Sequence, residues 1–301
     1  MKVAVLGANT TSRDVARVCV LAGEAVRLHE SDATAVMDSI DIVERQLDDR
    51  YETGAIDEDE RAGATERLEG TTGLEAAVTD ADVVIDTACH ELGELQAQFA
   101  ALEELVDRDT VVATVASTVS VTEAATGLRH PDRAVGFQFH DSGETFVEII
   151  LAEQTGTDAA SVAAQFADSV AGEWVTVRDT PGNVSMRLSL ALEVAAIRML
   201  DEGVAGVEAI DTAFRHAYDT DVGPLERADR IGLDTHRESL LSLADRLGPR
   251  FEPPPLLNVL VEERQTGAEA GEGFYRWEDG EPAESALTDP VSPSGGQRDE
   301  V

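Results

Sequence analysis

The chain has 301 residues, 43% of them hydrophobic, and carries 60 acidic against 23 basic residues for a net charge of −37. That length favours two domains over one, and no apolar run approaches the ~20 residues that a membrane-spanning helix requires. A nucleic-acid binder is excluded as well, because it needs a basic stripe to neutralise phosphates.

Lys2 is the only lysine, and the acidic residues are spread along the chain rather than gathered in one tail. The pattern reads as a solvated acidic surface suited to molar salt, a halophilic type of composition, more readily than as an acidic partner-binding protein. Cys19 and Cys89 lie far apart in apolar surroundings, which suits reduced, buried thiols. His29, His90, His130, His140, His216 and His236 fall at no spacing typical of metal ligands, so no metal site is expected.

Met1 and Lys2 run straight into Val3-Ala4-Val5-Leu6-Gly7, a strand and turn with no cleavable apolar segment before it, so a cytoplasmic protein is expected. A helix from about Ser12 to Ala22 and a strand at Ala25-Val26-Arg27-Leu28 complete a βαβ opening. A helical stretch runs from Asp32 to about Tyr51, and a second, acidic one begins at Asp57. Apolar runs return at Val83-Val84-Ile85, Val111-Val112-Ala113-Thr114-Val115 and Ala134-Val135-Gly136-Phe137, with helical segments between. Strands alternating with helices imply a parallel, doubly wound sheet. Val147-Glu148-Ile149-Ile150-Leu151 and Val175-Thr176-Val177 read as its last strands. From Asp179-Thr180-Pro181-Gly182 the period turns helical, with segments at Met186 to Glu202 and Gly206 to Ala217, so the second domain is predicted to be all-α. The stretch from Asp279 is rich in Glu, Pro, Ser and Gly and reads as a disordered acidic tail. The predicted organisation is 1–179, 180–278 and a tail at 279–301.

A dinucleotide fingerprint places three glycines at G-x-G-x-x-G, and here the positions hold Gly7, Asn9 and Ser12. The second glycine lets a pyrophosphate reach the helix N-terminus, so Asn9 is expected to weaken dinucleotide binding, with Thr10 and Thr11 completing the loop. Glu30 lies at the end of the second strand, where a carboxylate binds both hydroxyls of an adenosine ribose and repels a 2′-phosphate, so NAD is favoured over NADP.

Several segments, in order, carry a resemblance to a known family. They are Ala81-Asp82-Val83-Val84-Ile85-Asp86, Pro131-Asp132-Arg133-Ala134-Val135-Gly136-Phe137, Val147-Glu148-Ile149 and Asp179-Thr180-Pro181-Gly182. Farther on come Ile210-Asp211-Thr212-Ala213, Gly223-Pro224-Leu225-Glu226, Gly232-Leu233-Asp234 and Gly271-Glu272-Gly273-Phe274-Tyr275. To about Trp277 the chain resembles the 3-hydroxyacyl-CoA dehydrogenase family. The resemblance implies a Rossmann-type α/β domain followed by a helical domain like the C-terminal domain of 6-phosphogluconate dehydrogenase. It further implies NAD as cofactor, with Glu91 near it, an acyl-CoA or related 3-hydroxy acid as substrate, and a homodimer formed through the helical domain.

In that family a histidine takes the proton from the 3-hydroxyl, a glutamate orients the histidine, and a serine and an asparagine bind the reacting oxygen. Carried over by position, the serine is Ser117 and the glutamate Glu148, but the histidine position holds Gln138 and the asparagine position Met186. Glutamine cannot take a proton at neutral pH, and methionine cannot donate an amide hydrogen bond. His140 lies two residues along the same strand, on the same face as Gln138, and is the candidate replacement base. Its alternative is a strand-end histidine bonded to Asp141 or Glu144. Two functions therefore stand: an NAD-dependent oxidoreductase with an altered base, or a catalytically silent homologue that binds an acyl-CoA or nucleotide.

Overall fold

The computed structural model describes residues 1–89, 91–115, 119–141 and 145–287. They fall into two compact units, divided between Asn183 and Val184.

The first unit opens with β1 (Lys2–Leu6), α1 (Thr10–Leu21), β2 (Ala25–His29), α2 (Ala33–Glu52) and α3 (Glu58–Glu66). Asp32 caps α2 by accepting from the Thr34 and Ala35 amides, and Asp57 closes a capping box with Glu60 at the start of α3. Then come β3 (Leu68–Thr71), α4 (Leu74–Val78), β4 (Val83–Asp86), α5 (Leu92–Glu103), β5 (Val111–Thr114) and α6 (Val121–Ala125). The unit closes with β6 (Ala134–Asp141), β7 (Thr145–Leu151), α7 (Thr157–Val170) and β8 (Glu173–Arg178). One sheet runs in the order β3-β2-β1-β4-β5-β6-β7-β8.

Side chains alternate across each strand, so both faces of the central strands are buried. Val3, Val5, Ile85 and Phe137 meet Val15, Cys19 and Phe166 on one face, while Ala4, Leu6 and Val84 meet Leu95 and Phe99 on the other. Burial pushes the Cys19 thiol up to about 12.

Two features depart from the sequence reading. The sheet is not wholly parallel, since β6 and β7 pair antiparallel. Only residues 142–144 lie between those strands, far fewer than a parallel crossover needs. The edge strand β3 was not anticipated either, because its Leu68-Glu69-Gly70-Thr71 has no apolar run and none of its residues is buried.

The second unit contains α8 (Ser185–Asp201), α9 (Val207–Tyr218), α10 (Pro224–Ile231), α11 (Leu233–Leu247) and α12 (Pro255–Glu262), around a core that includes Leu190, Val194, Leu225, Leu257 and Phe274. Two buried carboxylates organise it. Asp211 accepts from the Leu225 and Glu226 amides that open α10 and from the Tyr275 hydroxyl. Asp229 accepts from the Phe274 and Tyr275 amides and the Trp277 indole. Burial pushes the Asp229 carboxyl up to about 6, although these donors pull the other way. The recurring segments around Asp211, Gly223 and Gly273 thus serve one internal network.

This unit is not all-α. β9 (Tyr275–Glu278) and β10 (Glu281–Ser285) form an antiparallel hairpin, so the expectation of a structureless tail from Asp279 fails over its first residues. Asp279 and Gly280 both have positive φ, at 51° and 82°, the geometry of a two-residue hairpin turn that Asp-Gly favours. The Ala286 amide returns to the Phe274 carbonyl, and Leu287 packs on the core. The remainder of the predicted tail, 288–301, lies outside the described residues. No helix among the described residues is long and apolar enough to cross a membrane.

Candidate active site

Strand order reverses at β1, with β2 on one side and β4 on the other, and in such sheets ligands enter the crevice beyond the carboxyl ends of the strands. Leu6, His29, Asp86 and Thr114 mark that edge.

Gly7 leaves β1 at φ +119°, and a Cβ there would stand 2.7 Å from the Thr87 hydroxyl, which itself donates to the Leu6 carbonyl at 2.8 Å. Only glycine fits that turn. Asn9 is different: at φ −97° and ψ −179° its backbone is ordinary extended chain that any residue adopts. Its Oδ1 accepts from the Ser12 amide at 2.9 Å, capping α1, and its Nδ2 donates to the Thr87 carbonyl at 2.7 Å. The carboxamide is therefore tied at both ends, between the helix and the end of β4. Ser12 is fully buried and its hydroxyl donates to the Asn9 carbonyl at 2.7 Å, so the third glycine position accepts serine without loosening helix–strand contact. Thr10 and Thr11 open the helix, exposed.

Glu30 follows β2 on the same edge, half-buried, with Oε1 accepting from the Ser31 amide and hydroxyl. Glu91 is the exposed residue that precedes α5. Gly7 and Glu30 suit the adenosine half of a dinucleotide, whereas Asn9 occupies a helix-opening amide that a pyrophosphate would use. At the end of β4, Asp86 is buried and accepts from the Ala88 and Cys89 amides. Burial, reinforced by Asp86, pushes the Cys89 thiol up to about 12.

The second half of the site is the β6–β7 ribbon. β6 pairs with β5 only as far as Gly136, and its remaining residues run on with β7 alone. Gln138 lies directly opposite Glu148, and His140 lies opposite Phe146. Residues two apart share a face, so Gln138, His140 and Glu148 project together. His140 Nε2 lies 3.7 Å from Glu148 Oε1, within ion-pair reach though longer than a hydrogen bond. The imidazole is 34% exposed while Glu148 is 1% exposed, so an accessible titratable ring meets a buried carboxylate. Phe146 stacks on that ring at 5.8 Å and 29°, fixing its plane from the neighbouring strand. The Gln138 carboxamide makes a long 3.4 Å contact to the Phe139 carbonyl.

Ser117 and His90 lie outside the described residues, as do Ser142, Gly143 and Glu144. Asp179 accepts from the Ser120 hydroxyl and the Thr122 amide, each at 2.7 Å, which ties the Asp179-Thr180-Pro181-Gly182 segment to the start of α6. Met186 is the second residue of α8 and packs on the core of its own unit. Two residues were not singled out from sequence: Thr87, whose backbone and side chain brace the Gly7 turn, and Arg13, whose Nη2 donates to the Ala8 carbonyl at 2.7 Å. Nothing in the motif marks either, since both contacts depend on how the turn folds.

The model of the 3-hydroxyacyl-CoA dehydrogenase NAD-binding domain matches residues 2–180, and that of the family's C-terminal domain matches 182–277. A 3-hydroxybutyryl-CoA dehydrogenase of Mycobacterium tuberculosis is 30% identical over 285 residues, spanning 92% of this chain and 98% of the relative. A probable 3-hydroxybutyryl-CoA dehydrogenase of Bacillus subtilis is 30% identical over 281 residues, again 92% and 98%. The crystal structure of (S)-3-hydroxybutyryl-CoA dehydrogenase from Ralstonia eutropha superposes with a TM-score of 0.84 at 27% identity, covering 92% of this chain and 99% of that one.

Proposed function

Because the chain belongs to the 3-hydroxyacyl-CoA dehydrogenase family, we propose that it is an NAD-dependent oxidoreductase acting on the 3-hydroxyl of a 3-hydroxyacyl-CoA or a related 3-hydroxy acid. The observation that carries this reading is the pairing of half-buried His140 with buried Glu148 across β6 and β7. Bound in this crevice, NAD would supply the hydride acceptor for C3. With Nε2 turned to the Glu148 carboxylate, which orients the ring and stabilises the imidazolium that forms, the other ring nitrogen of His140, Nδ1, takes the hydroxyl proton. Ser117 hydrogen-bonds the reacting oxygen. Gly7, Thr10, Thr11, Glu30 and Glu91 hold the cofactor, and the Asn9 cap keeps its dissociation constant above about 1 μM, roughly −8 kcal/mol.

Residues 1–183 form the cofactor domain on this reading, and 184–287 belong to the substrate and dimer domain of a cytoplasmic homodimer adapted to high salt. His140→Ala lowers turnover by roughly 10²- to 10⁴-fold, while Gln138→Ala does less. Equal turnover in wild type and His140→Ala would remove His140 as the base.

A second reading is favoured by one specific observation. The position directly opposite Glu148 is filled by Gln138, which cannot accept a proton at neutral pH, and the resemblance assigns the family's asparagine position to Met186. This reading makes the protein a silent homologue that binds an acyl-CoA or nucleotide. Gln138→His together with Met186→Asn then creates activity that the wild type lacks.

A further inference from the structure

The Gly7-Ala8-Asn9 turn withholds part of what a phosphate binds at the start of a helix. Of the amides that open α1, that of Ser12 donates to Asn9 Oδ1 and that of Arg13 to the Asn9 carbonyl at 3.3 Å. The Asn9 side chain cannot swing aside without also losing its bond to the Thr87 carbonyl. Among the described residues, the capping leaves the amides of Thr10 and Thr11 for an anion.

Arg13 supplies what is missing. Its Nη2 bond to Ala8 holds the guanidinium against the turn itself, and the side chain is half-buried, with Nε enclosed and making no hydrogen bond among the described residues. The adjacent Asp14 is turned to Arg17 at 3.4 Å rather than to Arg13. A guanidinium carries a fork of donors matched to phosphate oxygens, and one bond to a carbonyl does not exhaust it. In a chain of net charge −37, a local cation is also what an anionic cofactor needs on approach.

We infer that Arg13 binds the pyrophosphate of the dinucleotide, replacing charge and donors that the Asn9 cap withdraws from the N-terminus of α1. The inference rests on the reading that NAD binds in this crevice. Thr10 and Thr11 contribute their amides, and Glu30 takes the ribose at the far end of the same edge.

The test uses the full chain in molar KCl, titrated with NADH by fluorescence and with ADP-ribose, adenosine and acetyl-CoA by calorimetry. Arg13→Gln weakens NADH and ADP-ribose, which carry the pyrophosphate, by about tenfold, the effect of one charge-assisted hydrogen bond. Adenosine, which lacks it, changes by less than about twofold on the same scale. Arg13→Lys recovers part of the loss, because it keeps the charge without the fork. Unchanged NADH and ADP-ribose affinity overturns the inference. So does an equal loss of all ligands, which would make Arg13 a brace of the turn, or a loss confined to acetyl-CoA. A wild type that binds neither NADH nor ADP-ribose overturns the cofactor reading itself, and the inference with it.

Discussion

Replacing Asn9 by glycine restores the family's fingerprint at one position, and the structure gives this change two opposed consequences. The variant loses the 2.7 Å bond from Nδ2 to the Thr87 carbonyl, a contribution of about 0.5–1.5 kcal/mol. Exchanging the cap for glycine costs a few tenths of a kcal/mol more, roughly. The added freedom of the unfolded chain costs about 0.4–1 kcal/mol. Together these give about 1–3 kcal/mol, which for a domain of this size lowers Tm by roughly two to ten degrees. Yet the Ser12 amide is released to an incoming phosphate, and a new charge-assisted hydrogen bond tightens NADH by roughly tenfold. A thermal melt and an NADH fluorescence titration, both in molar KCl, read the two effects separately. An unchanged Tm would show that the cap and the tie to Thr87 contribute nothing. A lower Tm with no gain in affinity would show that the phosphates take a route that avoids Ser12.

Two further outcomes concern stability. Asp229 has its carboxyl raised to about 6 by burial, so between roughly pH 4 and 6 the folded state holds a proton that the unfolded state has released; its contribution to stability is present at low pH and is lost as pH rises through that window, on the order of 2–3 kcal/mol. Urea unfolding at pH 4.5 and 7, roughly the ends of that window, should therefore show the advantage of wild type over Asp229→Asn shrinking as pH rises, and a constant difference would contradict the assignment. The acidic surface predicts that Tm climbs with KCl as the screening length falls from about 30 Å at 0.01 M to about 3 Å at 1 M. A melt independent of salt over that range would remove the high-salt reading.

Much of the fold was legible because the strands of the first unit are apolar on both faces and are separated by amphipathic stretches with recognisable caps, such as Asp32 and Asp57. What escaped was local. The edge strand at Leu68–Thr71 has no hydrophobic signature, since it hides little surface. The terminal hairpin was obscured by its Glu, Pro and Ser content, although Asp279-Gly280 beside Trp277 is a direct turn signal. The antiparallel turn of β7 was implicit in the short spacing between Asp141 and Thr145.

At the site, the face shared by Gln138 and His140 followed from strand alternation alone. Its orientation toward Glu148 needed the register, which places residue 138 opposite residue 148. The consequence of Asn9 was only half visible: a lost glycine can be seen in the sequence, but the two bonds that pin its carboxamide, and the guanidinium of Arg13 behind it, arise from the turn.

On the proposed function this chain oxidises a 3-hydroxyacyl-CoA with His140 as its base. The most direct test follows NADH formation from (S)-3-hydroxybutyryl-CoA and NAD in molar KCl, for wild type and His140→Ala side by side. Wild-type turnover is expected in the common enzymatic range of roughly 1–10³ s⁻¹, with a loss of at least about 10²-fold in the variant. Absence of NADH from the wild type, with activity appearing only in the Gln138→His, Met186→Asn double variant, would contradict the proposed function.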